Sequence, residues 1–143
     1  MTMKAENRIQ GTHKIFIMIA PTVACLLLLS FSFQGDKWKA PPEADNLKNP
    51  FSLTDEKALA KGEKVFSKAC WTCHGQTGTG DGPAGVNLNP SPGDFTTDVF
   101  AAQSDGAIYW KITQGRGFMA SYEDVLSEDD RWKLVLYLRE LGK

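Results

Sequence analysis

Apolar residues recur at helical spacing in three stretches of the chain, and a fourth stretch is apolar throughout. Ala58, Gly62, Val65, Phe66 and Ala69 share one face of a 3.6-residue helix. Thr54, Asp55 and Glu56 ahead of them suit a capped, dipole-complementing first turn, so a helix is predicted from Thr54 towards Cys70. Gly62 costs it about 1 kcal/mol of helix propensity and points to another helix passing close by. A second helix is predicted from Ser104 to about Gln114, with Ile108, Tyr109 and Ile112 on it and Gly115 and Gly117 releasing the chain afterwards. A third opens at Ser127 with Glu128, Asp129 and Asp130 in its first turn. Its packing residues are Trp132, Leu134, Val135, Leu136, Leu138 and Leu141, with Tyr137 as the aromatic of a helix crossing. Gly75 to Phe100 is rich in glycine and proline and reads as an irregular wrap rather than strands.

The fourth stretch, Ile15 to Phe33, has nineteen residues and no charge. At about 1.5 Å per residue it approaches the ~30 Å hydrocarbon thickness of a membrane. Lys4, Arg8 and Lys14 precede it against a single acid, Glu6, which holds that end in the cytoplasm and exports the chain beyond the apolar run. The run is longer than a usual signal core and offers only the mediocre cleavage site Ser30-Phe31-Ser32. An uncleaved anchor is therefore favoured over a cleaved signal. Cys25 reads as a small apolar residue within it ahead of a lipoprotein's acylated cysteine, since Thr22-Val23-Ala24 is a poor processing site. Residues 34–53 are polar and proline-rich, as in a tether. The predicted layout is a cytoplasmic flank at 1–14, a membrane segment at 15–33, a linker at 34–53 and one domain at 54–143.

With 143 residues, 42% of them hydrophobic and 23% charged, the chain has the composition of one globular domain rather than of a disordered protein. A net charge of −1 gives no basic footprint for a phosphate backbone, which excludes nucleic acid as a natural partner.

Cys70-Trp71-Thr72-Cys73-His74 is the Cys-x-x-Cys-His pattern of covalent c-type haem attachment. Two cysteines three apart at a helix end reach the two vinyl groups on one edge of a porphyrin, and the adjacent histidine presents an imidazole nitrogen to the iron. Three other readings compete. A thioredoxin-like dithiol wants a βαβ unit beside it. A zinc site needs four ligands, and the remaining histidine and cysteine, His13 and Cys25, lie in or before the membrane segment. A Cys70–Cys73 disulfide leaves His74 unexplained. For the second axial position the chain offers Met119, the only methionine after residue 33, in Gly115-Arg116-Gly117-Phe118-Met119. A thioether is a soft, neutral ligand that favours ferrous iron and raises the potential; the alternative is that Met119 fills a gap in the core.

With these residues in place, the chain from about Asn49 to Leu141 resembles the class I cytochrome c family. Gly62 and Phe66 precede the attachment motif in the family's Gly-x-x-x-aromatic position. Gly75 to Gly82 is similar to the loop after the haem histidine, Ile112-Thr113-Gln114-Gly115 leads to Met119, and Trp132 to Leu141 is similar to the final helix. The resemblance implies an all-α fold in which first and last helices cross and the chain wraps one haem c and its iron. Cys70 and Cys73 would be attached to the haem, His74 and Met119 would be axial ligands, and Ile108, Tyr109 and Ile112 would turn towards it. It also implies that a proline carbonyl in the wrap accepts from the other ring nitrogen of His74; Pro83 is the first candidate, ahead of Pro90 and Pro92. Ala120 stands where many relatives have proline, which predicts a less stiff ligand loop.

The function expected is outer-sphere electron transfer between a redox protein donor and acceptor, with no catalytic residue and no small-molecule substrate. The location expected is a bacterial inner membrane, the haem domain facing the periplasm, or the soluble periplasm if residues 1–33 are removed. Alternatives are a resident subunit of a larger respiratory complex, or a haem enzyme or gas sensor with an open iron site. Lys57, Lys61, Lys64 and Lys68 fall within about 60° of helical arc. They form either an ordinary solvated face or a steering surface for an acidic partner.

Overall fold

The structure, a computed structural model, describes residues 38–143. The expected flank and membrane segment lie outside the described residues, as do Cys25 and His13. No helix among the described residues is long and apolar enough to cross a membrane.

Lys39 to Lys143 form one compact unit. A 3-10 turn, Pro42–Asn46, is followed by α1 (Glu56–Ala69), the single turn α2 (Trp71–His74), the short α3 (Asp98–Ala101), α4 (Asp105–Gln114) and α5 (Glu128–Leu141). No strand forms among the described residues; a lone bridge pairs Arg116 with Met119. The fold is all-α. Asp55, Thr97, Ser104 and Ser127 cap α1, α3, α4 and α5, each side chain accepting from the amide three residues on. Asp55 rather than Thr54 is thus the cap of α1. Its first helical residue is Glu56.

α1 and α5 cross with their backbones in contact. A methyl on Gly62 would lie 2.1 Å from the Lys133 carbonyl oxygen and 2.9 Å from the Tyr137 Cβ, so only glycine lets the helices meet here. The Tyr137 and Phe66 rings lie 5.4 Å apart beside the crossing. Phe66, Leu134 and Val135 are fully buried around it, and Val65, Phe95, Phe100, Ile108, Ile112, Trp132 and Leu138 complete one core. Each large side chain so buried contributes about 1.5–3 kcal/mol.

α5 also sends an arginine to either side of α4. Arg139 donates to Asp105 Oδ1 at 2.8 Å, to the Ala101 carbonyl at 3.2 Å and to the Gln103 carbonyl. Arg131 holds the loop after α4, donating to the carbonyls of Glu123 and Leu126.

The boundary expected at Thr54 falls short of the domain's actual start. Ala44 is only 2% exposed, and its carbonyl oxygen would lie 1.9 Å from a methyl on Gly106. Ser104 donates its hydroxyl to Asp45, and Asn49 Nδ2 donates to the Trp132 carbonyl at 3.1 Å. Residues 39–53 therefore belong to the packed unit. They carry no apolar period because isolated side chains, Ala44 and Phe51, and a few side-chain hydrogen bonds dock them.

Replacing Gly62 by alanine should lower stability despite a gain of about 1 kcal/mol in helix propensity. Pushing the two backbones apart costs about 1–3 kcal/mol. Denaturant unfolding of the haem-loaded protein checks this, with a midpoint lower than wild type expected.

Candidate haem site

α1 delivers the attachment motif. Its last turn ends where the Cys70 amide donates to the Phe66 carbonyl, and one further turn follows at once, Cys73 and His74 both donating to the Cys70 carbonyl at 3.1 and 3.0 Å. Both thiols are free and half-buried, three residues apart on this turn. Gly75, at φ 78°, ends it.

The wrap then closes over the end of α2. Amides of Gly80, Gly82 and Ala84 donate to the carbonyls of His74, Cys73 and Thr72 at 2.8, 3.2 and 2.8 Å. These helix-end acceptors would otherwise be left without partners. Gly82 and Gly85 permit this approach: a methyl on Gly85 would lie 2.1 Å from the Cys73 carbonyl oxygen. Farther along, the chain returns beneath His74. His74 Nδ1 lies 3.3 Å from the Gly93 carbonyl oxygen, and the Phe95 ring stacks on the imidazole at 4.7 Å and 23°. A carbonyl only accepts, so the proton sits on Nδ1 and Nε2 is left as the basic nitrogen.

The carbonyl facing His74 is thus Gly93's, not that of Pro83, which is exposed in the turn after Gly82. Pro92 is adjacent, but its own carbonyl closes on Gly80, 2.7 Å from where a methyl would stand. The chain must pass over α2 and back before a carbonyl reaches the imidazole, which puts the acceptor ten residues beyond Pro83.

Met119 stands on a loop fastened to the end of α4. Gly115 and Gly117 have φ of 65° and 60°. Arg116 and Met119 exchange backbone hydrogen bonds of 2.8 and 3.0 Å, leaving Gly117 and Phe118 at the tip, where Phe118 is 73% exposed. The Ser121 hydroxyl donates to the Thr113 carbonyl at 2.7 Å, and the Tyr122 amide to that of Ile112 at 3.2 Å. These bonds pin the loop without the proline that Ala120 replaces. Tyr122 then spans to the attachment motif, its phenol donating to the Ala69 carbonyl at 2.9 Å. Met119, Cys70, Trp71 and Tyr122 all pack against the same core cluster, which contains Ile108 and Ile112. Tyr109 packs against that cluster too. Its ring stacks on Trp132 at 4.0 Å, and its hydroxyl accepts from Arg131.

Burial, with Cys73 adding to it, pushes the Cys70 thiol up to about 12. A dithiol oxidoreductase needs the opposite, a depressed thiolate. Burial pulls His74 below its ordinary value, opposed by the Gly93 contact, and so keeps it in the neutral form that binds metals. The Tyr122 phenol is raised by burial and, in smaller part, by Cys70 and Cys73, as its position beside them requires. No cluster of three or more His, Cys, Asp or Glu placed to hold a metal ion occurs among the described residues. Two unpaired thiols on one turn, a neutral imidazole tied back through Nδ1 and a thioether on a fixed loop are together the donor set that a covalent haem takes.

Gly93, Phe95, Tyr122 and Arg131 belong to no motif legible in the sequence. Tyr122, three residues beyond the single candidate thioether, is the one of them with a positional signal. Lys57, Lys61, Lys64 and Lys68 are all exposed on α1, with Lys61 paired to Asp130 at 3.3 Å.

Similarity to known proteins agrees with this chemistry. Residues 57–138, more than half of the chain, match the family described as cytochrome C oxidase, cbb3-type, subunit III, and the chain belongs to that family of c-type cytochrome domains, whose members carry covalently bound haem c. The cbb3-type cytochrome c oxidase subunit FixP of Bradyrhizobium diazoefficiens is 33% identical over 85 residues, which are 58% of this chain and 27% of that subunit. The chain thus spans about a quarter of the length of that relative. Among solved structures, a chain of the reducing HAO-like protein complex of Kuenenia stuttgartiensis has 30% identity and a TM-score of 0.58, covering 80% of this chain and 54% of its own. Cytochrome CL of the marine methylotroph Methylophaga aminisulfidivorans has 25% identity and a TM-score of 0.52, covering 78% and 71%.

Gly85→Ala should wedge the wrap off the Cys73 carbonyl at a cost of about 1–3 kcal/mol. Thermal unfolding and haem-stained electrophoresis should show a lower melting temperature and a larger share of polypeptide without haem.

Proposed function

We propose that this chain moves single electrons between redox proteins through one haem c attached at Cys70 and Cys73, with His74 and Met119 as its axial ligands. The observation that carries this is the Tyr122–Ala69 hydrogen bond, which fastens the methionine loop one residue from the first attachment cysteine. When bound, the haem supplies a one-electron ferrous/ferric couple. The chain's part is to hold that couple still and dry. Gly93 keeps the proton of His74 on Nδ1, Phe95 fixes the plane of the imidazole, and the hairpin at Arg116–Met119 sets where the thioether sulfur stands. His74 and Met119 would hold the iron between them and leave no coordination position for a substrate, so this reading needs no general acid, base or nucleophile. A thioether opposite an imidazole raises the potential relative to a harder ligand.

In this reading residues 15–33 tether the domain to a bacterial inner membrane, facing the periplasm, and the electron donor and acceptor are other redox proteins. The family and the likeness to FixP favour a second reading for the whole protein, a resident subunit that passes electrons within an oxidase assembly. Gentle detergent extraction separates the two: a haem-stained band travelling with other subunits supports residence, and one travelling alone supports a tethered carrier.

Met119→Ala should lower the midpoint potential and let imidazole or carbon monoxide bind where neither binds the parent protein readily. Redox titration and optical ligand titration check this. An unchanged potential would mean that another group holds the sixth position. The mass of the mature protein should exceed that of its polypeptide by one haem.

A further inference from the structure

We propose that Arg131 is the positioning residue for Met119: its guanidinium holds the loop that keeps the thioether within reach of the iron. Arg131 is 8% exposed, near the start of α5. Its Nη1 donates to the carbonyls of Glu123 at 2.7 Å and Leu126 at 2.8 Å, and shares a hydrogen with that of Tyr122 at 3.3 Å. Nη2 and Nε donate to the Tyr109 hydroxyl at 2.9 and 3.3 Å, and the guanidinium lies 5.3 Å from the centre of that ring. Every one of these partners is a neutral oxygen. Among the described residues no carboxylate is paired with it, unlike Arg139, which meets Asp105 at 2.8 Å.

Three carbonyl oxygens converging on one point repel one another unless a cation sits between them. Residues 122–126 form a single turn, with Leu126 donating to the Tyr122 carbonyl at 3.0 Å, and its acceptors are gathered on Arg131. The same turn starts at Tyr122, whose phenol grips the Ala69 carbonyl and whose amide grips that of Ile112. Met119 lies three residues before it. A continuous path therefore runs from α5 through Arg131 to the Tyr122 turn, and from there to the methionine on one side and the attachment motif on the other. Only a planar fork with several donors spans these acceptors; an ammonium at the same place satisfies fewer of them. Without Arg131 the turn loses its centre, and the ligated position of Met119 becomes one of several that the loop visits.

The inference rests on Met119 being the axial ligand, so the experiment carries its own control for that. Haem-loaded wild type, Arg131→Met, Arg131→Lys, Arg139→Met and Met119→Ala are titrated in the ferric state with imidazole well below their unfolding temperatures. The far-red charge-transfer band of methionine-ligated ferric haem is followed alongside. A loop that spends more time open binds the competing ligand more tightly in proportion. Arg131→Met should gain imidazole affinity by about tenfold or more and lose intensity in the band. Arg131→Lys should fall between it and wild type, and Arg139→Met should behave as wild type. Wild-type affinity and band in both Arg131 variants, with Met119→Ala responding, overturn the positioning role and leave the ligand assignment standing. An equal gain in Arg139→Met also overturns it, since the effect would then be general loosening. No response in Met119→Ala overturns the ligand assignment and this inference together. If Arg131→Met does not mature, Arg131→Lys decides by the same two readouts.

Discussion

The contact at Gly62, where two helix backbones touch without a side chain between them, is the constraint on which the rest of the structure depends. α1 carries the attachment motif at its end, and α5 carries the two arginines that hold the loops around α4. The distance between those helices therefore sets the distance between everything they bring. A single methyl at the crossing would meet a carbonyl oxygen at 2.1 Å. Only displacement of one backbone would relieve that, and the motif and the loops would move with it. Burial of Phe66, Leu134 and Val135 supplies the force that presses the pair together, and Gly62 sets where the pressing stops.

Polar groups around the site are arranged by a common logic. Helix ends and turns expose carbonyls that have lost their solvent, and each is met by something that donates. The wrap's amides meet those of Thr72, Cys73 and His74. The Tyr122 phenol meets Ala69, and Arg131 meets the turn beyond it. Among the described residues that are not exposed, no buried side-chain nitrogen or oxygen lacks a partner. In a domain this small, such closure gives a glycine-rich segment a definite shape where few apolar side chains are available to do so.

Much of this could be read from the amino-acid order. The three longer helices announced themselves through period and caps, as at Ser104 and Ser127, because amphipathic spacing and side-chain capping are local properties. The Cys70 to His74 motif was legible for a similar reason, its chemistry lying within five adjacent residues. What escaped was long-range and made by the backbone. Gly93 as acceptor for His74 depends on where the wrap returns, and one carbonyl looks like any other in a sequence. Arg131 sits among acidic residues in a first turn and has every sign of a surface side chain. Its burial comes only from the turn that folds over it. The segment from Ala44 to Phe51 has the look of a linker because it docks through hydrogen bonds and isolated apolar side chains, which leave no hydrophobic period.

Arg131 and Arg139 stand eight residues apart on one helix, and each bolts down a segment that has little core of its own. A surface turn with few apolar side chains would ordinarily open and reclose on its own, far more often than the protein unfolds. Here the arginines tie residues 122–126 and 101–103 to α5, and α5 is anchored across the deepest part of the core. These turns thereby borrow part of the lifetime of the helix. The Leu126 amide, which donates within the turn gathered on Arg131, should then exchange more slowly than its place near the molecule's edge alone would give.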